Sequence, residues 1–117
     1  MAKIISIPTF KDSRGSLSVI ENILPFDIKR VYYIYNVDES ERGNHAHKLT
    51  SQALIMIHGS CDVFVGNKKK YNKYRITSPS KCLLLNPEDF HWMTNFSKES
   101  VLLVLASEHF DEDDYIR

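Results

Sequence analysis

The sequence predicts an all-β protein built as an antiparallel sandwich or barrel, and two observations support this prediction. Short segments rich in β-branched and aromatic residues recur along the 117 residues, and clusters of turn-forming residues separate them. A sustained helical period is almost absent. Segments at this spacing are typical of sandwiches and barrels, in which each strand pairs with neighbours across turns.

Ten strands are expected in chain order, and turn signals separate them. Asp-Ser-Arg-Gly at 12–15 divides the first strand from the second, Gly-Asn at 66–67 follows the sixth, and Asn-Pro at 86–87 ends the eighth. Because His-Gly-Ser at 58–60 lies between two apolar runs, we expect the fifth and sixth strands to form a hairpin. The acidic tail at 108–115 is expected to form a turn or short helix. The expected strands are Lys3–Ile7, Ser16–Glu21, Lys29–Tyr35, His45–His47, Gln52–His58, Cys61–Val65, Tyr71–Ile76, Lys81–Asn86, His91–Asn95 and Val101–Ala106.

Composition and charge limit the protein class and its partners. A chain of this length, 43% hydrophobic and 26% charged, is expected to fold as a single domain over residues 1–117. Lys plus Arg equals Asp plus Glu at 15 each, so no net field attracts a polyanion, and we expect neither nucleic acid nor a membrane as partner. No apolar run reaches the length of a signal peptide or a membrane span, which predicts a cytoplasmic protein.

The most informative motif is His-Ala-His at 45–47. In an extended chain, alternation puts His45 and His47 on one face while Ala46 points to the other. Two titratable groups therefore face one small volume. Such a pair can hold a metal ion or move protons near neutral pH, and the motif alone leaves both possibilities open.

The spacing around this pair resembles the two motifs of the cupins. The resemblance implies a double-stranded β-helix, which is a small jelly-roll barrel with inward-facing histidines. Metal-dependent cupins carry an acidic residue where this chain has Gln52, and a neutral amide is a weak metal ligand. The absence of that carboxylate weighs against metal. The matching residues are Gly43, His45, His47, Gln52 and Gly59 in the first motif and Pro87, His91 and Asn95 in the second.

A narrower resemblance extends over essentially the whole chain. The segments in question are 13–17, 25–34, 42–48, 101–107 and 114–117, in unchanged order, and they are similar to the WxcM-like cupins, the sugar-nucleotide 3,4-ketoisomerases. The resemblance implies conversion of dTDP-4-keto-6-deoxy-D-glucose to the 3-keto sugar by proton transfer from C3 to C4 through an enediol. It implies neither a metal nor any other cofactor.

The resemblance also implies catalytic roles for three residues. His45 stands at the position of the base that moves the proton from C3 to C4, and His47 stands beside it as an orienting group. Tyr32 matches a tyrosine proposed to relay protons between the sugar oxygens. Strand alternation supports Tyr32, because Tyr33 and Tyr35 must then point to the opposite face.

Two arginines and a glutamine are the expected substrate-binding residues near this centre. Arg30 shares the strand parity of Tyr32, and Arg42 belongs to the histidine motif. Guanidinium groups pair bidentately with a nucleotide diphosphate and keep their charge, although the commoner role of an arginine is a surface ion pair. Gln52 can bond a sugar hydroxyl, the nucleotide or a histidine.

Arg14 and His91 are the expected substrate-binding residues that select the product. Together they resemble the branch of the family that leaves the C4 hydroxyl axial. The product implied is dTDP-3-keto-6-deoxy-D-galactose, used in deoxyamino-sugar biosynthesis for a surface polysaccharide. Relatives form homodimers that can exchange N-terminal strands, which implies a homodimer here.

Two alternatives to this function stay open. One is a metal-dependent cupin enzyme, in which a required metal ion would sit on the histidines. The other is a non-catalytic sugar-binding cupin, in which His45, His47, Tyr32 and Gln52 would only recognise a ligand.

Overall fold

The computed structural model describes residues 2–117 and confirms the predicted all-β class. A 3₁₀ helix at Glu112–Asp114 precedes the final strand. The strands are β1 Lys3–Ser6, β2 Thr9–Asp12, β3 Gly15–Ser18, β4 Arg30–Tyr35, β5 Arg42–His47, β6 Gln52–His58, β7 Cys61–Gly66, β8 Tyr71–Ile76, β9 Lys81–Leu85, β10 His91–Thr94, β11 Val101–Ala106 and β12 Tyr115–Ile116.

The strands form two five-stranded antiparallel sheets that pack face to face as a jelly roll. Sheet 1 has the order β1-β9-β6-β11-β4, and sheet 2 has the order β12-β5-β10-β7-β8. From β4 onward nearly every connection crosses from one sheet to the other, as a double-stranded β-helix requires. Strands β2 and β3 stand apart as a separate hairpin.

The core lies between the two sheets, and a second apolar layer covers part of the outer face of sheet 1. The inner layer includes Leu54, Leu102 and Val104 from sheet 1 and Val63 from sheet 2. In the outer layer, the segment at 20–26 packs on the remaining side chains of β6, β9 and β11. Sheet 1 is therefore buried on both faces there, which explains why β6 is an unbroken apolar run instead of an alternating one.

The rest of the outer face of sheet 1 is an exposed apolar patch. It consists of Val31, Tyr33, Tyr35 and Ile57, and the rings of Tyr33 and Tyr35 stack at 5.8 Å between centroids. The β2–β3 hairpin is also apolar on one side, since Phe10 pairs across the strands with Leu17 and both are exposed. Both surfaces are exposed within residues 2–117, and a two-stranded hairpin is only marginally stable alone.

The structure corrects several expected elements. The predicted hairpin at 58–60 is wrong, because β6 and β7 belong to different sheets and Gly59 carries the chain between them. Gly59 has a φ of +84°, and a Cβ there would lie 2.4 Å from the Ser97 hydroxyl oxygen. The strand expected at 16–21 ends at Ser18, and β2 and β12 were not expected. Within residues 2–117, no helix is long and apolar enough to cross a membrane.

Candidate active site

The candidate site is built around β5, which lies between β10 and β12 in sheet 2. Antiparallel pairing puts His45 opposite His91 and His47 opposite Tyr115. Near His45 the pairing register shifts by one residue. Gly43 and Asn44 of β5 together lie opposite Trp92 of β10, and this arrangement is a β-bulge. Both bulge residues have positive φ, and a Cβ on Gly43 would lie 3.1 Å from the His91 carbonyl oxygen. The glycine therefore allows β5 and β10 to approach at the histidines.

Three imidazoles and one phenol ring converge at this point. The ring centroid of His45 lies 5.0 Å from His47, 5.0 Å from His91 and 4.9 Å from Tyr115. The rings of His47 and Tyr115 are 4.6 Å apart. His47 and His91 are buried, whereas His45 is partly accessible. The structure thus groups His45, His47 and His91, which the sequence predicted as site residues.

Hydrogen bonds fix the tautomer of each imidazole. Nδ1 of His45 lies 3.1 Å from the Gly43 carbonyl oxygen, and Nδ1 of His91 lies 3.1 Å from the Asp89 carbonyl oxygen. Because a carbonyl can only accept, both Nδ1 atoms carry the proton in the neutral ring. Nδ1 of His47 similarly donates to the Asp114 carboxylate at 2.9 Å. Each neutral ring therefore keeps a lone pair on Nε2.

Burial keeps these imidazoles neutral at physiological pH. It lowers the pKa of His45, and the neighbouring His47 lowers it further. Burial also lowers the pKa of His47 despite the opposing effect of Asp114. For His91, burial lowers the pKa to about 4. A neutral imidazole with a free lone pair is the form that can accept a proton.

Tyr32 and Gln52 approach from sheet 1. The Gln52 amide Nε2 donates a hydrogen bond to the Tyr32 hydroxyl at 3.0 Å, which leaves the phenolic hydrogen available to another acceptor. Burial raises the pKa of Tyr32, so the group stays a phenol. Tyr33 and Tyr35 point to the opposite face, as strand parity predicted.

Arginines surround the site and make it electropositive. The guanidinium of Arg30 lies 4.5 Å from the Tyr32 ring centroid and 5.3 Å from that of Phe110. Its positive charge lowers the pKa of His47. Arg42 and Arg30 both oppose the rise in the Tyr32 pKa. Arg117 lies 4.9 Å from the Tyr115 ring centroid and adds a third cation.

Arg14 is the one predicted site residue that the structure does not bring to this cluster. It lies at the tip of the β2–β3 hairpin, its side chain is 89% exposed, and it forms an ion pair with Asp12 at 2.6 Å. An exposed ion pair of this kind contributes little to stability.

Sequence reasoning missed the contribution of the C-terminal segment. Asp114, Tyr115 and Arg117 reach the site because β12 pairs with β5. The segment had been recognised only as part of the family resemblance and as an acidic tail. The one signal in the sequence that could have identified them is an aspartate, a tyrosine and an arginine within the four residues at 114–117.

The side chains present do not fit a metal centre. Gln52 stands where a carboxylate ligand would be needed, and its amide nitrogen is engaged with Tyr32. Across the described residues, no group of three or more His, Cys, Asp or Glu side chains is arranged to hold a metal ion.

A cavity of about 520 Å³ lies away from the histidines. Its position therefore differs from that of the cluster of titratable side chains. We place the site by its chemistry, since convergent titratable groups with shifted pKa values mark functional sites better than volume alone. The cavity is lined by Ile20, Asn22, Leu24, Pro25, Phe26, Asp27 and Ile28.

Comparisons with known proteins cover nearly the whole chain. The family described as FdtA, WxcM-like, C-terminal matches residues 1–117. The TDP-4-oxo-6-deoxy-alpha-D-glucose-3,4-oxoisomerase of Aneurinibacillus thermoaerophilus is 43% identical, over 98% of this chain and 85% of its own. The WlaRB TDP-quinovose 3,4-ketoisomerase of Campylobacter jejuni is 44% identical, with a TM-score of 0.92 over 99% of this chain and 92% of its own.

Three solved structures of QdtA, a 3,4-ketoisomerase of Thermoanaerobacterium thermosaccharolyticum, each have a TM-score of 0.94 and cover 99% of this chain. The complex with TDP is 41% identical and covers 87% of QdtA. A double mutant with TDP, in which a tyrosine becomes arginine and an arginine becomes histidine, is 43% identical over 86%. A histidine-to-asparagine mutant with TDP-4-keto-6-deoxyglucose is 40% identical over 86%.

The depressed pKa of His91 predicts a pH-dependent contribution to stability. The pKa of this ring is about 4 in the folded protein, whereas in the unfolded chain the ring protonates near the ordinary histidine pKa of 6.5. The contribution is complete above pH 6.5 and is lost as pH falls towards 4. Relative to His91→Gln, the wild type should lose on the order of 3 kcal/mol of unfolding free energy between neutral pH and pH 4. Urea denaturation of both proteins at both pH values measures this loss. If the difference in unfolding free energy between the wild type and His91→Gln is the same at both pH values, the lowered pKa of His91 is contradicted.

Proposed function

The chain belongs to the WxcM-like FdtA family, and from this membership and the geometry of the histidine cluster we propose that it is a 3,4-ketoisomerase of TDP-4-keto-6-deoxy-D-glucose. The observation that carries the proposal is the state and position of His45. It is a partly accessible, neutral imidazole with its lone pair on Nε2, in contact with three other rings of the site. The relative named for this activity is 43% identical, and the QdtA mutant bound to this sugar nucleotide is 40% identical.

The reaction moves a carbonyl by one carbon and needs two proton movements. Nε2 of His45 takes the hydrogen from C3, which the neighbouring C4 carbonyl makes acidic, and an enediol forms. The resulting imidazolium returns the proton to C4, so the base is regenerated without a redox step. An imidazole whose pKa lies below its ordinary value is neutral at the start and, once protonated, is a stronger acid than an ordinary imidazolium.

The second proton moves between the sugar oxygens, and Tyr32 is suited to that transfer. Its hydroxyl accepts from Gln52, so its own hydrogen can be donated to O4 while it receives the hydrogen of O3. Because burial raises its pKa, Tyr32 acts as a neutral relay and not as a phenolate. Gln52 thus orients the relay.

The nucleotide diphosphate is assigned to the arginines. The positive charges of Arg30 and Arg42 both lower the pKa of Tyr32, against the effect of burial. A guanidinium pairs bidentately with phosphate oxygens. QdtA, whose structures contain TDP, supports a nucleotide diphosphate as the ligand of this fold. We place the enzyme in the cytoplasm, where sugar nucleotides are made.

Two side chains support a galacto product, with the C4 hydroxyl axial. The QdtA double mutant gains an arginine and a histidine, the residue types of Arg14 and His91, and its identity to this chain is 43% against 41% for the TDP complex. Overall identity does not favour this product, because WlaRB is named for TDP-quinovose and is 44% identical. The 3-keto product suits an aminotransferase of deoxyamino-sugar biosynthesis.

A homodimer explains both exposed apolar surfaces and the position of Arg14. The Phe10–Leu17 side of one hairpin fits the patch of Val31, Tyr33, Tyr35 and Ile57 on a second copy. Exchanged in this way, the hairpin of one protomer carries its exposed Arg14 towards the site of the other.

The base assignment predicts that His45→Asn keeps the fold and loses turnover by roughly 10²- to 10⁴-fold. NMR of TDP-4-keto-6-deoxyglucose in D₂O follows the carbonyl from C4 to C3 and the hydrogen at C4. His58→Asn is the matched control, since His58 is exposed and its Nδ1 bonds the Glu99 carbonyl oxygen, away from the cluster. An undiminished rate in His45→Asn would remove His45 as the base, and no carbonyl shift with the wild type would remove the proposed function.

The product assignment predicts that Arg14→Tyr combined with His91→Arg changes the C4 hydroxyl from axial to equatorial. The C4 hydrogen then becomes axial, and its coupling to the C5 hydrogen increases in the NMR spectrum. An unchanged product configuration in an active double variant would show that these two residues do not select it.

The dimer predicts a mass of twice 13.6 kDa in sedimentation equilibrium. Tyr33→Arg puts a charge into the apolar patch and should give monomers, while Tyr71→Arg, at an exposed tyrosine of sheet 2, should stay dimeric. A fully active wild-type monomer would contradict the dimer.

A further inference from the structure

A lysine, a carboxylate and an indole ring meet on the outer face of sheet 2, on the side away from the histidine cluster. Because His91 faces the site, strand alternation turns the next side chain of β10, Trp92, to the outer face. Trp92 is nevertheless only 4% exposed, since the ring of Phe64 stacks on it at 5.3 Å and Lys68 lies over it. Nζ of Lys68 lies 3.9 Å from the Trp92 ring centroid and 3.2 Å from the Glu41 carboxylate. One cation thus connects β10 to the segment that leads into β5.

The turn that carries Lys68 is fixed by its own hydrogen bonds. The side-chain oxygen of Asn67 accepts the backbone N–H groups of Lys69 and Lys70, each at 2.9 Å. The backbone N–H of Asn67 donates to the Lys70 carbonyl oxygen at 3.0 Å. An exposed ion pair alone contributes little, but the contact with the indole ring adds a second attraction to the same ammonium group. Lys68 is therefore held at the base and at the tip of its side chain.

Glu41 connects this cation to the bulge of β5. Its carboxylate accepts a hydrogen bond from the Asn44 side chain, and this bond, followed by the one from Lys68, lowers the pKa of Glu41. Asn44 is one of the two bulge residues, and with Gly43 it lies opposite Trp92. A bulge interrupts the backbone ladder between two strands, so side-chain contacts across it carry more of the pairing. Lys68, Glu41 and Asn44 supply such a contact.

The bulge in turn fixes the tautomer of His45. The Gly43 carbonyl oxygen accepts the Nδ1 hydrogen of His45 at 3.1 Å, and its direction depends on the backbone torsions of Gly43 and Asn44. Both residues have positive φ, a region that few residues other than glycine adopt, so neighbouring contacts must maintain it. If this carbonyl turned away, Nδ1 would lose its acceptor and the hydrogen could move to Nε2, where the base needs its lone pair.

We propose that Lys68, on the outer face of sheet 2, is a positioning residue for His45. It binds Glu41 and the Trp92 ring together, and the bulge of β5 thereby keeps the Gly43 carbonyl within reach of the imidazole Nδ1. Because Lys68 lies on the face opposite the site, it acts only through the tautomer of the base. This inference rests on the proposed isomerase function, in which His45 is the base, and deepens it.

Lys68→Met tests this role, because it keeps an unbranched side chain over the indole ring and removes the charge. Nitrogen-15 NMR of the free, histidine-labelled protein at neutral pH, assigned with His45→Asn, measures the tautomer of His45. The hydrogen should be on Nδ1 in the wild type, and most of it should move to Nε2 in Lys68→Met. The kcat for TDP-4-keto-6-deoxyglucose should fall in proportion to the remaining Nδ1–H fraction, by roughly 3- to 10-fold.

Two further variants serve as controls. A guanidinium can bind both a carboxylate and an indole ring, so Lys68→Arg should keep the wild-type tautomer and kcat. Lys69→Met is the matched control, since Lys69 is an exposed lysine of the same turn, and it should leave both quantities unchanged. Trp92 is the one tryptophan of the chain, so its fluorescence reports whether the ammonium has left the ring. The emission should change in Lys68→Met and stay the same in Lys69→Met.

The outcomes separate this role from the proposed function. If the wild type does not isomerise TDP-4-keto-6-deoxyglucose, the proposed function fails, whereas the tautomer is measured without substrate and still tests the link from Lys68 to His45. A His45 hydrogen that stays on Nδ1 in Lys68→Met would overturn the role of Lys68, and so would a shifted tautomer with an unchanged kcat. A loss of kcat in proportion to the lost Nδ1–H tautomer, absent from Lys68→Arg, supports that role.

Discussion

The site depends on the antiparallel register of β5 between its two neighbours. Strand alternation alone brings His45 and His47 to one face, but the pairings with β10 and β12 add His91 and Tyr115 from distant parts of the chain. Because a shift of one residue would turn every side chain of β5 to the other face, the register decides whether a site exists. The bulge at Gly43 and Asn44 supports this register where β5 approaches the His91 backbone.

Backbone and carboxylate oxygens then give the cluster its chemistry. Each imidazole donates Nδ1–H to a fixed acceptor, and each keeps its Nε2 lone pair. Burial lowers all three pKa values, and the positive charges of Arg117 and Arg30 lower those of His45 and His47 further, so the rings are neutral. The same cations suit a nucleotide diphosphate. A proton-accepting centre beside an anion-binding surface is the combination that isomerisation of a sugar nucleotide requires.

Local patterns in the sequence predicted much of this arrangement, and long-range pairing explains what they did not. The central strands, the His45–His47 pair and the opposite faces of Tyr32 and Tyr33 all follow from alternation within one segment. The β6–β7 hairpin was wrong because a glycine turn looks the same whether the chain returns within a sheet or crosses to the other one. Asp114 and Tyr115 were missed because their role arises only when a two-residue strand pairs with β5. Arg14 lies at an exposed hairpin tip away from the histidines, and a pattern of residue types in the sequence carries no information about that distance.

The proposed chemistry requires His45 to be neutral at physiological pH, with its hydrogen on Nδ1 and its lone pair on Nε2. Nitrogen-15 NMR of histidine-labelled protein at neutral pH measures both properties directly, with His45→Asn used to assign the resonances. We expect one protonated nitrogen, Nδ1, and one unprotonated nitrogen, Nε2. An imidazolium, or a hydrogen on Nε2 in the neutral ring, would contradict it.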